Sequence, residues 1–307
     1  MRSFVGAAAV MVMAGAVAAE PQTPTWSAIA NNATLIPGTT LTFNSFNQPS
    51  VNASGLVVFR ARSKGGSAEP VHGIYALVPS TNSKVPPAVV KVTARGDPVP
   101  QPNNTLYNGA LAGFQEYPST PRIDIGSPLI ATRGQSQPVY EYQTGVDPTT
   151  GSALTTKVGT SGIYANPGGT LVTGASLLGA VTNYPGTTLT FPQYSVPGAP
   201  AGTRFDQFPG GPAATNGTII AFKGNYTDPA DGLGKTGVYF RDVSANQGTS
   251  PVQLVANTDT VIPNPAGAPT VKFGSTAPPS AANGYMVFTG LDIEDAPTRG
   301  GIYRAPL

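Results

Sequence analysis

The apolar residues of this chain come in short runs set between glycine, proline and asparagine. Four runs stand out: Leu56-Val57-Val58-Phe59, Leu129-Ile130-Ala131, Ile219-Ile220-Ala221-Phe222 and Met286-Val287-Phe288. Each follows a proline, a few residues and a glycine: Pro49 to Gly55, Pro121 to Gly126, Pro212 to Gly217 and Pro279 to Gly284. Each is followed by a Gly-(Ile/Val)-Tyr triplet: Gly73-Ile74-Tyr75, Gly162-Ile163-Tyr164, Gly237-Val238-Tyr239 and Gly301-Ile302-Tyr303. A further run, such as Val89 to Val92 or Val252 to Val255, comes after the triplet. Short β-branched runs bounded by turn residues predict strands. Runs that are apolar at consecutive positions predict strands covered on both faces. Leu171 to Val181 reads either as a helix or as a strand, and its glycines argue against the helix.

The recurrence predicts about four repeats of four antiparallel strands in one all-β domain over residues 20–307. The heptapeptide Pro-Gly-Thr-Thr-Leu-Thr-Phe occurs at Pro37–Phe43 and again at Pro185–Phe191, 148 residues on, or two periods of 74. Four antiparallel strands per unit make a propeller blade. The expectation is therefore a four-bladed β-propeller over residues 26–307, with a β-solenoid of the same repeats as the alternative. The ends favour the ring. The last unit stops after its third strand, while Ile29 to Pro37 matches Val255 to Pro263, the end of a fourth strand. Residues 27–37 are expected to pair beside Gly301–Tyr303 and close the circle, removing an exposed edge. Residues 100–120 and 186–211 leave room for extra strands.

Taken together, Ile-Pro-Gly-Thr-Thr-Leu-Thr-Phe, Pro-Ser-Val-Asn-Ala-Ser-Gly-Leu-Val-Val-Phe and Gly-Ile-Tyr resemble an uncharacterised group of exported bacterial tandem-repeat, β-propeller-like proteins. Their units read roughly Pro-Ser-x-Asn-x-x-Gly-x-x-x-Phe and then Gly-Ile-Tyr. The resemblance covers nearly all of the chain after its leader. It implies export and a repeated β-fold, and it lends no catalytic residue. The second unit departs most, with Ala131 where Phe is expected and Asp124 where the Asn falls.

Arg2, an apolar stretch from Phe4 to Ala19 and the small residues before Glu20 predict a secretory signal peptide over residues 1–19. With no other apolar stretch long enough to span a bilayer, the expected location is secreted or periplasmic. There is no cysteine, which removes thiol chemistry and Cys-ligated metals. Charged residues are 10% of the chain and the formal net charge is +2, which gives no reason to expect nucleic acid.

Candidate chemistry is sparse. The tyrosines of the triplets read as a ligand cage or, because every unit repeats them, as packing between sheets. Loops between the second and third strands of the units carry Glu69, Glu141, Asp147, Asp228, Asp231, Asp292, Glu294 and Asp295. Hard cations take carboxylate oxygens, so Asp228, Asp231, Asp292, Glu294 and Asp295 are candidate Ca²⁺ ligands. The competing reading is that exposed loops carry charge for solubility. His72 is the only histidine, so any Ser-His-Asp arrangement must use it, and no nucleophile elbow accompanies it. Arg122 with Asp124, and Arg204 with Asp206, begin or precede innermost strands. They are candidates either for holding a carboxylate or sugar in a central channel, with His72 near the rim, or for structural ion pairs. Asn-x-Ser/Thr sequons fall at Asn32, Asn52, Asn103, Asn216 and Asn225. The function expected is an exported, non-enzymatic binding or surface-interaction protein for a polysaccharide or another extracellular polymer. The alternative is a secreted hydrolase or lyase using rim carboxylates, tyrosine or His72.

Overall fold

The computed structural model describes residues 25–307 except 67–68, 81, 83, 85, 101–111, 137, 160, 179, 184–186, 191, 245–249 and 264–269. The signal peptide and Asn103 thus lie outside the described residues. The rest is all-β, with several antiparallel sheets, none closed into a barrel, and no α-helix.

Unit 1 holds β1 (Phe43–Phe46), β2 (Ser50–Val51), β3 (Val57–Ser63), β4 (His72–Val78) and β5 (Ala88–Ala94). Unit 2 holds β6 (Phe114–Glu116), β7 (Arg122–Ile123) and β8 (Ile130–Ser136). An inserted hairpin, β9 (Pro138–Val146) and β10 (Ala153–Gly159), comes next. The unit then ends in β11 (Gly162–Ala165) and β12 (Val172–Ser176). A second hairpin follows, β13 (Ala180–Asn183) and β14 (Thr187–Thr190). Unit 3 is β15 (Ala213–Thr215), β16 (Ile219–Thr227), β17 (Gly234–Asp242) and β18 (Gln253–Asn257). Unit 4 is β19 (Ser275–Thr276), β20 (Ser280–Ala282), β21 (Tyr285–Leu291) and β22 (Gly300–Pro306). The two hairpins form a fifth sheet, β10-β9-β13-β14. Leu171 to Val181 therefore contributes strand, in β12 and β13.

The triplet fixes how the sheets stack. Its tyrosine pairs across the ladder with Phe59, Thr132, Phe222 or Phe288. On the same face a phenylalanine meets the tyrosine ring nearly edge-on. Centroids are 4.9 Å apart for Phe43–Tyr75, 4.8 Å for Phe114–Tyr164, 5.0 Å for Phe205–Tyr239 and 5.0 Å for Phe273–Tyr303. Tilts of 79–89° suit the ring quadrupoles. The aliphatic residue of the triplet points the other way, toward the next unit. Ile74 joins the core between units 1 and 2, Ile163 that between units 2 and 3, and Val238 that between units 3 and 4. Alternation of side chains along a strand thus gives each sheet two apolar faces, as the consecutive apolar runs predict. The tyrosines are packing elements. The hydroxyls of Tyr75 and Tyr239 are buried without a hydrogen-bond partner among the described residues, and burial pushes Tyr75 up to about 12.

Turns stitch neighbouring units. Asn52 Oδ1 accepts from the Ser54 and Leu56 amides, while its Nδ2 donates to Ser127 O of unit 2 at 3.0 Å. Asp124 occupies the same place in unit 2, accepting from the Gly126 amide and the Ser127 hydroxyl. It also accepts from the Gly217 amide of unit 3 at 2.7 Å. Asn216-Gly217 and Asn283-Gly284 have positive φ at both residues and join tight hairpins, the setting that favours Asn-Gly. Arg241, fully buried, ties unit 3 to unit 2. It donates to Thr173 O at 2.9 Å and Gly174 O at 3.0 Å, and to Ser250 O at 2.6 Å.

Three sequence expectations land differently. The second copy of the heptapeptide falls at β14 in the fifth sheet. Phe205 packs edge-on against the unit 3 tyrosine, and Phe191 lies outside the described residues. In unit 2, Thr132 stands opposite Tyr164, so Ala131 is not at the phenylalanine position. Residues 27–37 pair with no strand of unit 4 among the described residues. They turn back on unit 1 instead, through Ile36 N to Leu41 O at 2.8 Å and Phe43 N to Thr34 O at 3.1 Å.

Candidate functional site

Two adjoining cavities share Arg60, a β3 residue that follows Phe59 and stands opposite Ile74. The rim cavity, about 240 Å³, lies at the β3–β4 end of unit 1 and is lined by Arg60, Arg62, Glu69, His72, Arg95 and Glu116. Its charges are largely paired. Arg60 lies 3.4 Å from Glu116 Oε1, and His72 Nδ1 3.4 Å from Glu116 Oε2. Arg95 pairs with Glu69 and donates to Gln115 Oε1 at 3.3 Å. His72 is buried, and Glu116 is the one polar partner of its ring among the described residues. A histidine and a nearby carboxylate are present, but among the described residues no serine or cysteine nucleophile lines this cavity.

The central cavity, about 380 Å³, is where all four units meet. Arg60 comes from unit 1, Ser119 and Arg122 from unit 2, Gly210 leads into unit 3 and Ser280 belongs to unit 4. Of the sequence candidates for a central ligand, Arg122 is here, exposed and without an ion pair among the described residues. Asp124 is not beside it in function: both carboxylate oxygens are committed to the turn and to Gly217. Arg204 is half-buried and does not line this cavity. Asp206 accepts from the Thr227 hydroxyl at 2.8 Å and lines a separate cleft between units 3 and 4, with Lys223, Lys235 and Glu294. His72 is on the rim.

The candidate calcium ligands do not converge. Lys235 Nζ lies 2.6 Å from Asp228, 3.6 Å from Asp231 and 3.2 Å from Asp259, so an ammonium supplies the cation there. The Lys235 hydrogen bond holds Asp228 below the usual carboxylate range, and the same bond raises Lys235. Asp292 accepts from the Thr298 hydroxyl and from the Ile293, Thr298 and Arg299 amides, which brings its carboxyl to about 2. Glu294 and Asp295 are exposed. No group of three His, Asp or Glu side chains arranged to hold a metal occurs among the described residues. Of the other rim acids, Asp147 caps its own turn through the Thr149 and Thr150 amides, and the Glu141 side chain lies outside the described set.

Sequence reasoning missed Arg60, Ser119 and Lys235. A signal existed for the first: Arg60, Arg133 and Lys223 occupy the same ladder position in units 1, 2 and 3, opposite Ile74, Ile163 and Val238. A basic residue recurring inside an apolar strand marks an unusual junction. Ser119 carried no signal. Among the described residues no helix is long and apolar enough to cross a membrane. Comparison with protein-family models and with curated proteins finds no match.

Proposed function

We propose that this is an exported, non-enzymatic binding protein on a four-unit β-propeller, taking a polysaccharide or another extracellular polymer at its central cavity. The observation that carries this reading is the convergence of all four units on one open cavity. Ligand sites of repeated β-architectures gather where the repeats meet. The test is calorimetric titration with a panel of soluble polysaccharides. Saturable binding that Arg122→Ala weakens is the expected result. A panel that binds nowhere, or binds Arg122→Ala equally well, sinks the assignment.

Closure of the ring belongs to the same proposal, and two features support it. Residues 31–43 repeat the hydrogen bonds of residues 257–273: Asn31 and Asn257 each cap the amide two residues on, and Ile36 and Ile262 each bond back across the turn. Residues 25–30 therefore stand where the last strand of a preceding unit would run, and among the described residues β22 pairs with β21 alone. Ile302 is 78% exposed, whereas its counterparts Ile74, Ile163 and Val238 are at most 1% exposed. A unit 4 face that meets unit 1 makes Ile302→Asp strongly destabilising, because a charge would enter an apolar junction. A variant that melts like the parent leaves the ring open.

The second reading, a lyase or hydrolase, is favoured by the His72–Glu116 pair among three arginines. Cleavage of any acidic polysaccharide that is abolished by His72→Ala would put it first.

A further inference from the structure

We infer that the central cavity is a site for an oxyanion, a carboxylate or sulfate group, carried by the polymer; this rests on the binding function proposed above. Two independent features point to it. The first is charge. Arg60 and Arg122 line the cavity and among the described residues no acidic side chain does, in a protein with only two more basic than acidic residues. Arg60 keeps one contact with Glu116 at 3.4 Å, longer than a good charge-assisted hydrogen bond. Arg122 is exposed and makes no ion pair among the described residues. A guanidinium presents paired N–H donors that match the spacing of carboxylate or sulfate oxygens.

The second feature is a hydroxyl with nothing to bind. Ser119 lines the same cavity and is 8% exposed, and its Oγ is buried with no hydrogen-bond partner among the described residues. A buried donor left unsatisfied costs stability and calls for an explanation. Tyr75 and Tyr239 carry such hydroxyls inside the sheet stack, whereas Ser119 carries one on the lining of the central cavity. In the proposed site the bound oxyanion would be the acceptor for this hydroxyl, beside the guanidiniums of Arg60 and Arg122 on the same lining. In the rim cavity Glu69 pairs with Arg95, Glu116 lies beside Arg60 and His72, and Arg62 donates to Ser45 Oγ at 3.0 Å. Both acidic groups thus sit among its bases, whereas the central cavity has no acidic group among the described residues. In the cleft between units 3 and 4, Asp206 and Glu294 likewise sit beside the lysines.

The experiment uses the mature protein and four probes: polygalacturonate, its methyl ester, dextran sulfate and plain dextran. Binding of polygalacturonate or dextran sulfate, absence of binding to the two neutral polymers and a steep loss of affinity with salt are expected. The anionic polymer that binds tighter identifies the source of the oxyanion. Arg122→Gln should weaken binding roughly 10- to 100-fold, the worth of a charged hydrogen bond. Lys272→Gln, which removes an exposed charge elsewhere, should leave it unchanged. Ser119→Ala should weaken binding with the melting temperature held or raised, since its hydroxyl has no partner to lose. Equal binding of neutral and anionic polymers overturns the oxyanion site but leaves the binding function standing. So does a Lys272→Gln loss as large as that of Arg122→Gln, which reports general charge attraction. Failure of all four probes removes the binding function itself for these polymer classes, and the oxyanion site with it.

Discussion

Gly224 tests the stacking rule most directly. It lies in β16, paired with Gly237, on the face where Phe205 leans on Tyr239. A methyl group added at Gly224 would stand 2.5 Å and 2.6 Å from Phe205 Cε1 and Cδ1, and 3.3 Å from Tyr239 Cε2. Phe205 cannot step aside easily, because Phe208 at 5.2 Å and Phe222 at 6.0 Å hold its other flanks. Overpacking of this kind costs about 1–3 kcal/mol. Alanine's smaller unfolded-state entropy offsets about 0.4–1 kcal/mol of it. The net expectation for Gly224→Ala is a loss of about 1.5 kcal/mol, seen as a melting temperature lower by about 3–6 °C in a domain of this size. Urea unfolding at constant slope is the assay. The clash itself is isolated by Phe205→Leu, a smaller side chain: the double variant should lose less than the sum of the single losses. A Gly224→Ala protein as stable as the parent, or strictly additive losses, would refute the reasoning. Gly134 under Phe114 carries the same constraint. Unit 1 has Ala61 at that position, opposite Gly73 and in the same core cluster as Phe43 and Tyr75.

Three further outcomes follow from the same contacts. Arg241→Met should cost about 3 kcal/mol by urea unfolding, because three carbonyls, those of Thr173 and Gly174 in buried contacts, lose this donor at about 1–3 kcal/mol each while removal of a desolvated charge offsets part; unchanged stability would mean that other donors reach those carbonyls. Asp292 titrates near 2 when folded against an ordinary 3.8, so its stabilisation is complete above about pH 4 and lost as the pH falls toward 2; Asp292→Asn should flatten the acid limb of the melting curve, and parallel curves from pH 5 to 2 would contradict this. Millimolar Ca²⁺ and chelator should leave the melting temperature unmoved, since the Lys235 ammonium already sits beside Asp228 and Asp231 and Thr298 with backbone amides satisfies Asp292. A rise of several degrees that Asp228→Asn plus Asp292→Asn abolishes would establish a cation site after all.

Local pattern determined much of the architecture. The apolar runs and the Gly-(Ile/Val)-Tyr triplets became strands of antiparallel sheets because strand alternation and turn chemistry are short-range properties, written in adjacent residues. The same alternation explains why Ile74 and Tyr75 serve two different cores. Equivalence between distant segments was less legible. Two identical heptapeptides took different places, because pairing partners, rather than seven residues of sequence, decide which sheet a segment joins. The site was least legible of all. Arg122 and Asp124 sit two residues apart in the chain, yet one opens into the central cavity and the other is held by Gly217, 93 residues away in sequence. Asp228 and Asp231 look like metal ligands until Lys235 is folded against them. Arg60, Ser119, Arg122 and Ser280 become one surface only when four units converge. Charge neutralisation and hydrogen-bond satisfaction act through space over a few ångströms, so only the tertiary structure decides which polar groups remain available to a ligand.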